Sequence, residues 1–191
     1  MNDAISQILY TEEQIKNRIS ELADLINEDY RNKYPVFVGV LKGVFIFMAD
    51  LLRNVKIDCD VDFLAISNYS NDARTRGVVR LVKDLDIPIE GRHVLFIEDV
   101  IDTGLTLHYL LRNLNERNPI SLKVCTLFNK PTHRLIELPI QYKGFDLPDK
   151  FIVGYGLDYN ERYRNLPYVG IIKAEIFQQP ASNAIKLKQG L

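Results

Sequence analysis

Apolar positions change period several times along the chain. Ile15, Ile19, Leu22 and Ile26 recur at helical spacing behind Thr11-Glu12-Glu13-Gln14, a capping-box pattern, and predict an amphipathic helix over about 11–30. Pro35 punctuates. VFVGVL, 36–41, is a continuous apolar run of strand length; Lys42-Gly43 breaks it, and VFIFMADLL, 44–52, reads as a buried helix. CDVDFLAI, 59–66, alternates partly, as a strand does, and VVRLVK, 78–83, is a second strand that pairs with it as a long hairpin. Between them NYSNDARTRG, 68–77, is polar and reads as a mobile loop. HVLFIE is a further strand. GLTLHYLLRNLNER, about 104–117, is a helix with Leu107, Leu110, Leu111 and Leu114 on one face. LKVCTLF, 122–128, FIVGY, 151–155, and YVGII, 168–172, complete the predicted strands. No internal repeat or low-complexity segment interrupts the pattern.

Strands alternate with helices, and the apolar runs suit strands buried on both faces. The expected class is α/β, a mainly parallel central sheet flanked by helices. In such sheets ligands sit at the carboxyl ends of strands. The unusual residues stand at those ends: Lys42-Gly43 after one strand, an acid cluster after another, Lys130 after a third.

Composition narrows the function classes. With 191 residues, 47% hydrophobic and 26% charged, one domain spanning 1–191 is expected, with its core at about 35–172. A net charge of -1 predicts no broad nucleic-acid or membrane surface, although a balanced total leaves room for a local basic groove. Cys59 and Cys125 form neither a disulfide framework nor a zinc pattern. The first residues lack the pattern of a signal peptide, and no run is long enough to span a bilayer, so a cytoplasmic protein is expected. His93, His108 and His133 match no metal spacing and read as structural or exposed.

The chemistry concentrates in VLFIEDVIDTGLTL, 94–107. An oily strand runs into Glu98, Asp99 and Asp102, then into Thr103-Gly104 and Thr106. A helix beginning near Gly104 presents unpaired amides and the positive end of its dipole, a site for a phosphate. Carboxylates beside a phosphate would repel it unless they bind sugar hydroxyls or share a magnesium ion with it. Both arrangements point to a phosphorylated sugar. Taken singly, Asp102 is as well explained as a helix cap, and Glu98 and Asp99 as solvated strand-end charges. Neither G-x-x-x-x-G-K-[ST] nor G-x-G-x-x-G occurs.

This stretch resembles the phosphoribosyl-pyrophosphate (PRPP) motif of type I phosphoribosyltransferases. Leu41-Lys42-Gly43, Lys130-Pro131 and LPDKFIVGYGLDYNERYRNLPYVG, 147–170, resemble in turn the pyrophosphate loop, the purine-reading lysine and the purine-stacking segment of the hypoxanthine-guanine branch. The resemblance implies the type I fold, with a small hood and a flexible lid loop. It implies transfer of phosphoribose from PRPP to a 6-oxopurine, with Mg2+ and without nucleic acid or membrane, by a homodimer or homotetramer.

The resemblance also implies roles. Thr103, Gly104 and Thr106 would hold the 5′-phosphate, and Glu98 and Asp99 the ribose hydroxyls and metal. Asp102 would be the general base, its pKa raised by burial. Lys130 would read the purine O6, Phe151 would stack on the ring, and Ile152 would read its other edge through the backbone. Asp158 would ligate the metal. Lys42, Gly43 and Arg164 would hold pyrophosphate, and Asn68 and Tyr69 would belong to the lid. Leu105 would point into helix packing. Without the resemblance, Lys130 reads as a solvated charge, Phe151 and Ile152 as core strand, and Arg164 as one half of a surface ion pair. A PRPP- or nucleotide-sensing regulator on the same fold and a xanthine-preferring transferase are the rival readings.

Overall fold

The computed structural model describes residues 2–68 and 79–177. A six-stranded sheet forms the centre, ordered β4(Val79–Lys83), β3(Asp60–Asn68), β2(Val36–Leu41), β5(His93–Ile101), β6(Ser121–Asn129), β7(Ile140–Asp146). Every neighbouring pair is parallel except β3 and β4, the expected hairpin. The polar stretch between these two strands, with Tyr69, lies outside the described residues.

The apolar strands alternate as a sheet covered on both sides requires. Phe37, Leu95, Ile97, Cys125 and Leu127 face α1(Glu12–Asp29) and α2(Phe45–Asn54). Val36, Val38, Val94, Phe96 and Val124 face α3(Leu105–Asn115), which buries Leu107, Leu110 and Leu114. Thr11 caps α1 with the expected box: its hydroxyl accepts from the Gln14 amide at 3.3 Å while Gln14 accepts from the Thr11 amide at 2.9 Å. Ile15, Ile19, Leu22, Ala23 and Ile26 form its buried face. Leu105 departs from expectation. It is 50% exposed, because it occupies the first turn of α3 on the side away from the sheet.

A second, three-stranded antiparallel sheet, the hood, joins β1(Ile5–Tyr10), β9(Val169–Ile172) and β8(Ile152–Val153), followed by the short α4(Ala174–Phe177). Strand β8 is shorter than expected. Gly154, Tyr155 and Gly156 all have positive φ and turn the chain out of the sheet. Among the described residues no helix is long and apolar enough to cross a membrane.

Sheet topology creates the cleft. Strand order reverses between β2 and β5, whose pairing ends at Gly39 and Ile97. Beyond that pair β2 bonds only to β3, and β5 only to β6, so the strands part and a crevice opens at their carboxyl ends. This is the topological switch point, where open α/β sheets bind ligands.

Candidate active site

The crevice brings together residues distant in sequence. Gly43, Asp99, Asp102, Lys130, Phe151, Ile152, Asp158 and Arg164 line one cleft of about 270 Å³, with Val100 and Leu157. A larger cavity of about 810 Å³ lies at the amino ends of the strands, lined by Asp24, Tyr30, Lys56 and Asp58 among others. It contains none of the candidate residues.

Asp99 forms the floor. Strand β5 continues through Ile101, so Glu98 and Asp99 lie within the strand rather than as solvated charges beyond it. The Val100 amide donates to Asp99 Oδ1 at 2.9 Å. Burial outweighs this bond and the nearby Arg164 charge, and raises the Asp99 carboxyl to about 6, with Asp158 adding repulsion. Burial, then the Asp99 charge, raises Glu98 well above the ordinary carboxyl range. Glu98 Oε2 is buried without a hydrogen-bond partner. Glycine at residue 43 makes room for the acid, since a β-carbon there would come within 1.8 Å of Asp99 Oδ2 and one of the two would have to shift. The Leu41–Lys42 peptide preceding this loop is cis.

One wall follows β8. Asp158 Oδ1 pairs with Arg164 at 2.8 Å, and Arg164 donates to the Gly156 carbonyl at 2.8 Å. Glu161 bridges Arg164 at 3.4 Å and Lys42 at 3.3 Å, so the Lys42 side chain joins the same ionic chain. Arg164 Nε is buried without a partner. Arg164 is an ion-pair residue with one donor still to satisfy. Phe151, 40% exposed, meets Tyr159 edge-on at 5.4 Å, whereas Ile152 is buried. Phe151 is therefore not a core residue. Lys130 donates to the Lys150 carbonyl at 3.1 Å, which holds its ammonium beside Phe151.

The opposite end is the turn into α3. Gly104 is the N-cap with φ 85°, a left-handed conformation that suits glycine, and it has no side chain with which to cap. Thr103 Oγ1 makes only a long 3.4 Å contact with the Leu105 amide. The helix start thus keeps donors for an anion, and Thr103, Gly104 and Thr106 adjoin Asp102 there without lining the cleft itself. Asp102 is not a helix cap. Its Oδ1 meets His133 Nδ1 at 2.8 Å. Nor is it buried: its side chain is 50% exposed, because it stands beyond the strand end at the cleft mouth. Sequence spacing missed His133 because it lies 31 residues from Asp102. Only the parallel pairing of β5 with β6 joins them. Tyr69 and the Asn68 side chain lie outside the described residues.

The acids suit a hard cation. Glu98, Asp99 and Asp158 offer oxygen ligands, and the unpartnered Glu98 oxygen and the raised Asp99 carboxyl mark acids whose charged form the protein alone leaves unfavourable and a cation would stabilise. Among the described residues no three acidic, His or Cys side chains form a ready-made cage. Magnesium needs only one or two carboxylates, with water and substrate phosphates completing its shell.

The fold and cleft agree with what the chain resembles. A family model for the phosphoribosyl transferase domain matches residues 6–160. The chain belongs to the phosphoribosyltransferase family, and so to the transferases. Within that family its similarity is to the hypoxanthine-guanine phosphoribosyltransferases. It is 43% identical to the one from Bacillus subtilis (strain 168) over 178 residues, covering 93% of this chain and 99% of the relative. It is 48% identical to the one from Mycobacterium avium over 181 residues, covering 92% and 89%. A crystal structure of a hypoxanthine phosphoribosyltransferase from Staphylococcus aureus matches with a TM-score of 0.89 at 41% identity, covering 94% of this chain and 97% of that one.

Proposed function

We propose that this enzyme salvages purines, transferring the 5-phosphoribosyl group of PRPP to hypoxanthine or guanine and releasing pyrophosphate. One observation carries the assignment of roles: the separate candidates at positions 43, 99, 102, 130, 151, 158 and 164 line a single cleft at the switch point. The amides of the Thr103–Thr106 turn, with both threonine hydroxyls, hold the 5′-phosphate at a helix start that has no side-chain cap. The 6-oxopurine lies against Phe151, its other edge read by the Ile152 backbone. Lys130, a donor without acceptor capacity, selects a carbonyl at O6 over the amino group of adenine. The Gly43 loop, with Lys42 and Arg164, receives the departing pyrophosphate, and Arg164 is suited to a bidentate grip.

The sugar carbon becomes cation-like as pyrophosphate departs, and the purine nitrogen bonds to it. The nitrogen's proton passes to Asp102, which stands between the phosphate turn and the base wall. Glu98, Asp99 and Asp158 would hold magnesium, which when bound neutralises charge on the phosphates. A cytoplasmic setting and homo-oligomeric assembly belong to the same proposal.

An absorbance assay with PRPP, Mg2+ and each of hypoxanthine, guanine, xanthine and adenine tests it. Turnover of hypoxanthine or guanine, absent without Mg2+ and absent for adenine, is expected. PRPP binding with no purine turned over would overturn the salvage reading in favour of a sensor. A preference for xanthine would replace the substrate assignment.

A further inference from the structure

His133 stands between two carboxylates. Its Nδ1 lies 2.8 Å from Asp102 Oδ1, and its Nε2 lies 2.6 Å from Asp149 Oδ1. The three groups come from three places: Asp102 from the turn after β5, His133 from the 3-10 turn Pro131–His133 after β6, and Asp149 from the segment before β8. A neutral imidazole has one N–H and one lone pair, so it can donate to only one of two carboxylates. The second contact becomes a hydrogen bond only when one more proton enters the unit. The arrangement is therefore built to take up a proton, on the side chain next to the proposed acceptor of the purine's proton.

We propose that His133 is a positioning residue for the transfer reaction, receiving through Asp102 the proton that the purine nitrogen loses, with Asp149 setting its tautomer. This inference rests on the assignment of Asp102 made above. Before reaction Nε2–H donates to Asp149, and the Nδ1 lone pair faces Asp102. As the purine nitrogen bonds to the sugar carbon, its N–H bond breaks and the proton moves to Asp102. The new O–H donates to Nδ1, and transfer along that bond leaves an imidazolium between two carboxylates. Solvent then takes the proton from the ring, whose side chain is 37% exposed. No redox change occurs, and each group returns to its starting charge.

The need for such a partner comes from the exposure of Asp102. A carboxylate in contact with water is a weak base, and Asp102 is half exposed rather than buried. A neighbouring imidazole supplies the acceptor that burial does not. The turn is held in place for this role. The His133 amide donates to the Lys130 carbonyl at 3.3 Å, and the Leu135 amide to the Thr103 carbonyl at 3.0 Å. Arg134 donates from Nε to the Asp102 carbonyl at 3.2 Å and from its guanidinium to Asn129 Oδ1. The nearby charges are thus Asp102 and Asp149, which favour the imidazolium, and Arg134 and Lys130, which oppose it. Both cations are directed onto neutral oxygens, of Asn129 and Lys150, rather than onto the ring. Asp149 also stands two residues before Phe151, so the same contact links the base-stacking wall to the proton acceptor.

The test is kinetic. Wild type, His133→Gln, His133→Ala and Asp149→Asn are assayed with hypoxanthine, PRPP and Mg2+ across pH 5–9. Wild-type kcat should rise with pH along a limb that His133→Gln lacks. His133→Gln should lower kcat roughly 10- to 100-fold, at or below the low end of direct acid–base effects because the residue acts through Asp102, leaving KM for PRPP within about twofold. Added imidazole should restore part of the His133→Ala rate, and Asp149→Asn should move the acid limb to lower pH. A structural role would change none of the pH limb, the rescue and the Asp149 effect together. Independently of turnover, ring 15N shifts of His133, one of three histidines, should show Nε2–H at alkaline pH and lose that bias in Asp149→Asn. An active wild type with His133→Gln unchanged in kcat and pH limb, or a tautomer indifferent to Asp149, would overturn this inference alone. A wild type that turns over no purine would remove the transfer reading together with it.

Discussion

Asp99 and Gly43 interlock. A β-carbon at residue 43 would lie 1.8 Å from Asp99 Oδ2, so the acid of β5 occupies the space that any side chain on the β2 loop would fill. The contact spans the crevice where β2 and β5 part. It sets how closely the proposed pyrophosphate loop approaches the proposed metal acids. Gly43→Ala must displace one of the two. A displacement of about 1 Å at a reacting centre costs about 100-fold, so kcat/KM for PRPP should fall by about that factor. Steady-state kinetics at varied PRPP check this, and an unchanged kcat/KM would show that the contact does not matter.

The buried acids should cost stability when the site is empty. Burial raises the Asp99 carboxyl to about 6, above the ordinary value of 3.8. The folded state therefore keeps its proton to higher pH than the unfolded state does. Stability from this group is fully present below about pH 4 and is lost as pH rises through about 6. Asp99→Asn should thus stabilise the ligand-free protein above pH 6, by on the order of 2–3 kcal/mol, with the gain vanishing near pH 4. Denaturant titrations of both proteins at pH 4, 6 and 8 measure the difference. The same variant should lose most of the thermal stabilisation that Mg2+ with PRPP gives wild type.

Lys130 should decide between purines. Its ammonium is held at the cleft wall by the Lys150 carbonyl and presents donors only. Lys130→Gln should lower kcat/KM for hypoxanthine and guanine by about 10- to 100-fold, the worth of one hydrogen bond to a charged group. Adenine should gain relative to them, because glutamine can also accept. Relative kcat/KM values for the three bases measure this.

Tyr155 should act through position rather than chemistry. It has φ 48° between Gly154 and Gly156, and its hydroxyl donates to Asp50 Oδ2 of α2 at 2.6 Å. Burial, with Asp50 adding to it, raises the phenol above its ordinary value. Asp50 keeps its contact with Arg53 at 2.8 Å if the tyrosine is lost. Tyr155→Phe should therefore cost about 1–2 kcal/mol of stability, with kcat changed less than that of Gly43→Ala. Chemical denaturation and turnover of the same preparation separate the two effects.

Most of the sheet was legible because its strands are continuous apolar runs broken by glycine, proline or charge. The run Val36–Leu41 and the helix behind Thr11 matched the structure within a residue or two. Strands β1 and β7 were not legible. In β1 only Ile5 is fully buried, and it is a strand because distant Ile172 pairs with it. At the sheet edge, β7 buries only Tyr142 and carries Gly144. The candidate site was legible where its chemistry is local: an oily strand, acids and a phosphate turn follow one another within fourteen residues of sequence. It was not legible where the chemistry is assembled across strands. The pairing of Asp102 with His133 and that of His133 with Asp149 depend on which loops meet at one end of the sheet.

The most direct measurement is the hypoxanthine-to-nucleotide rate at saturating PRPP and Mg2+ for wild type and Asp102→Asn. The proposed mechanism predicts a kcat lowered about 100- to 10,000-fold in the variant, as for loss of a general base, with KM for PRPP little changed. Wild-type kcat in Asp102→Asn would contradict it and would leave the carboxylate at the cleft mouth without a part in the reaction.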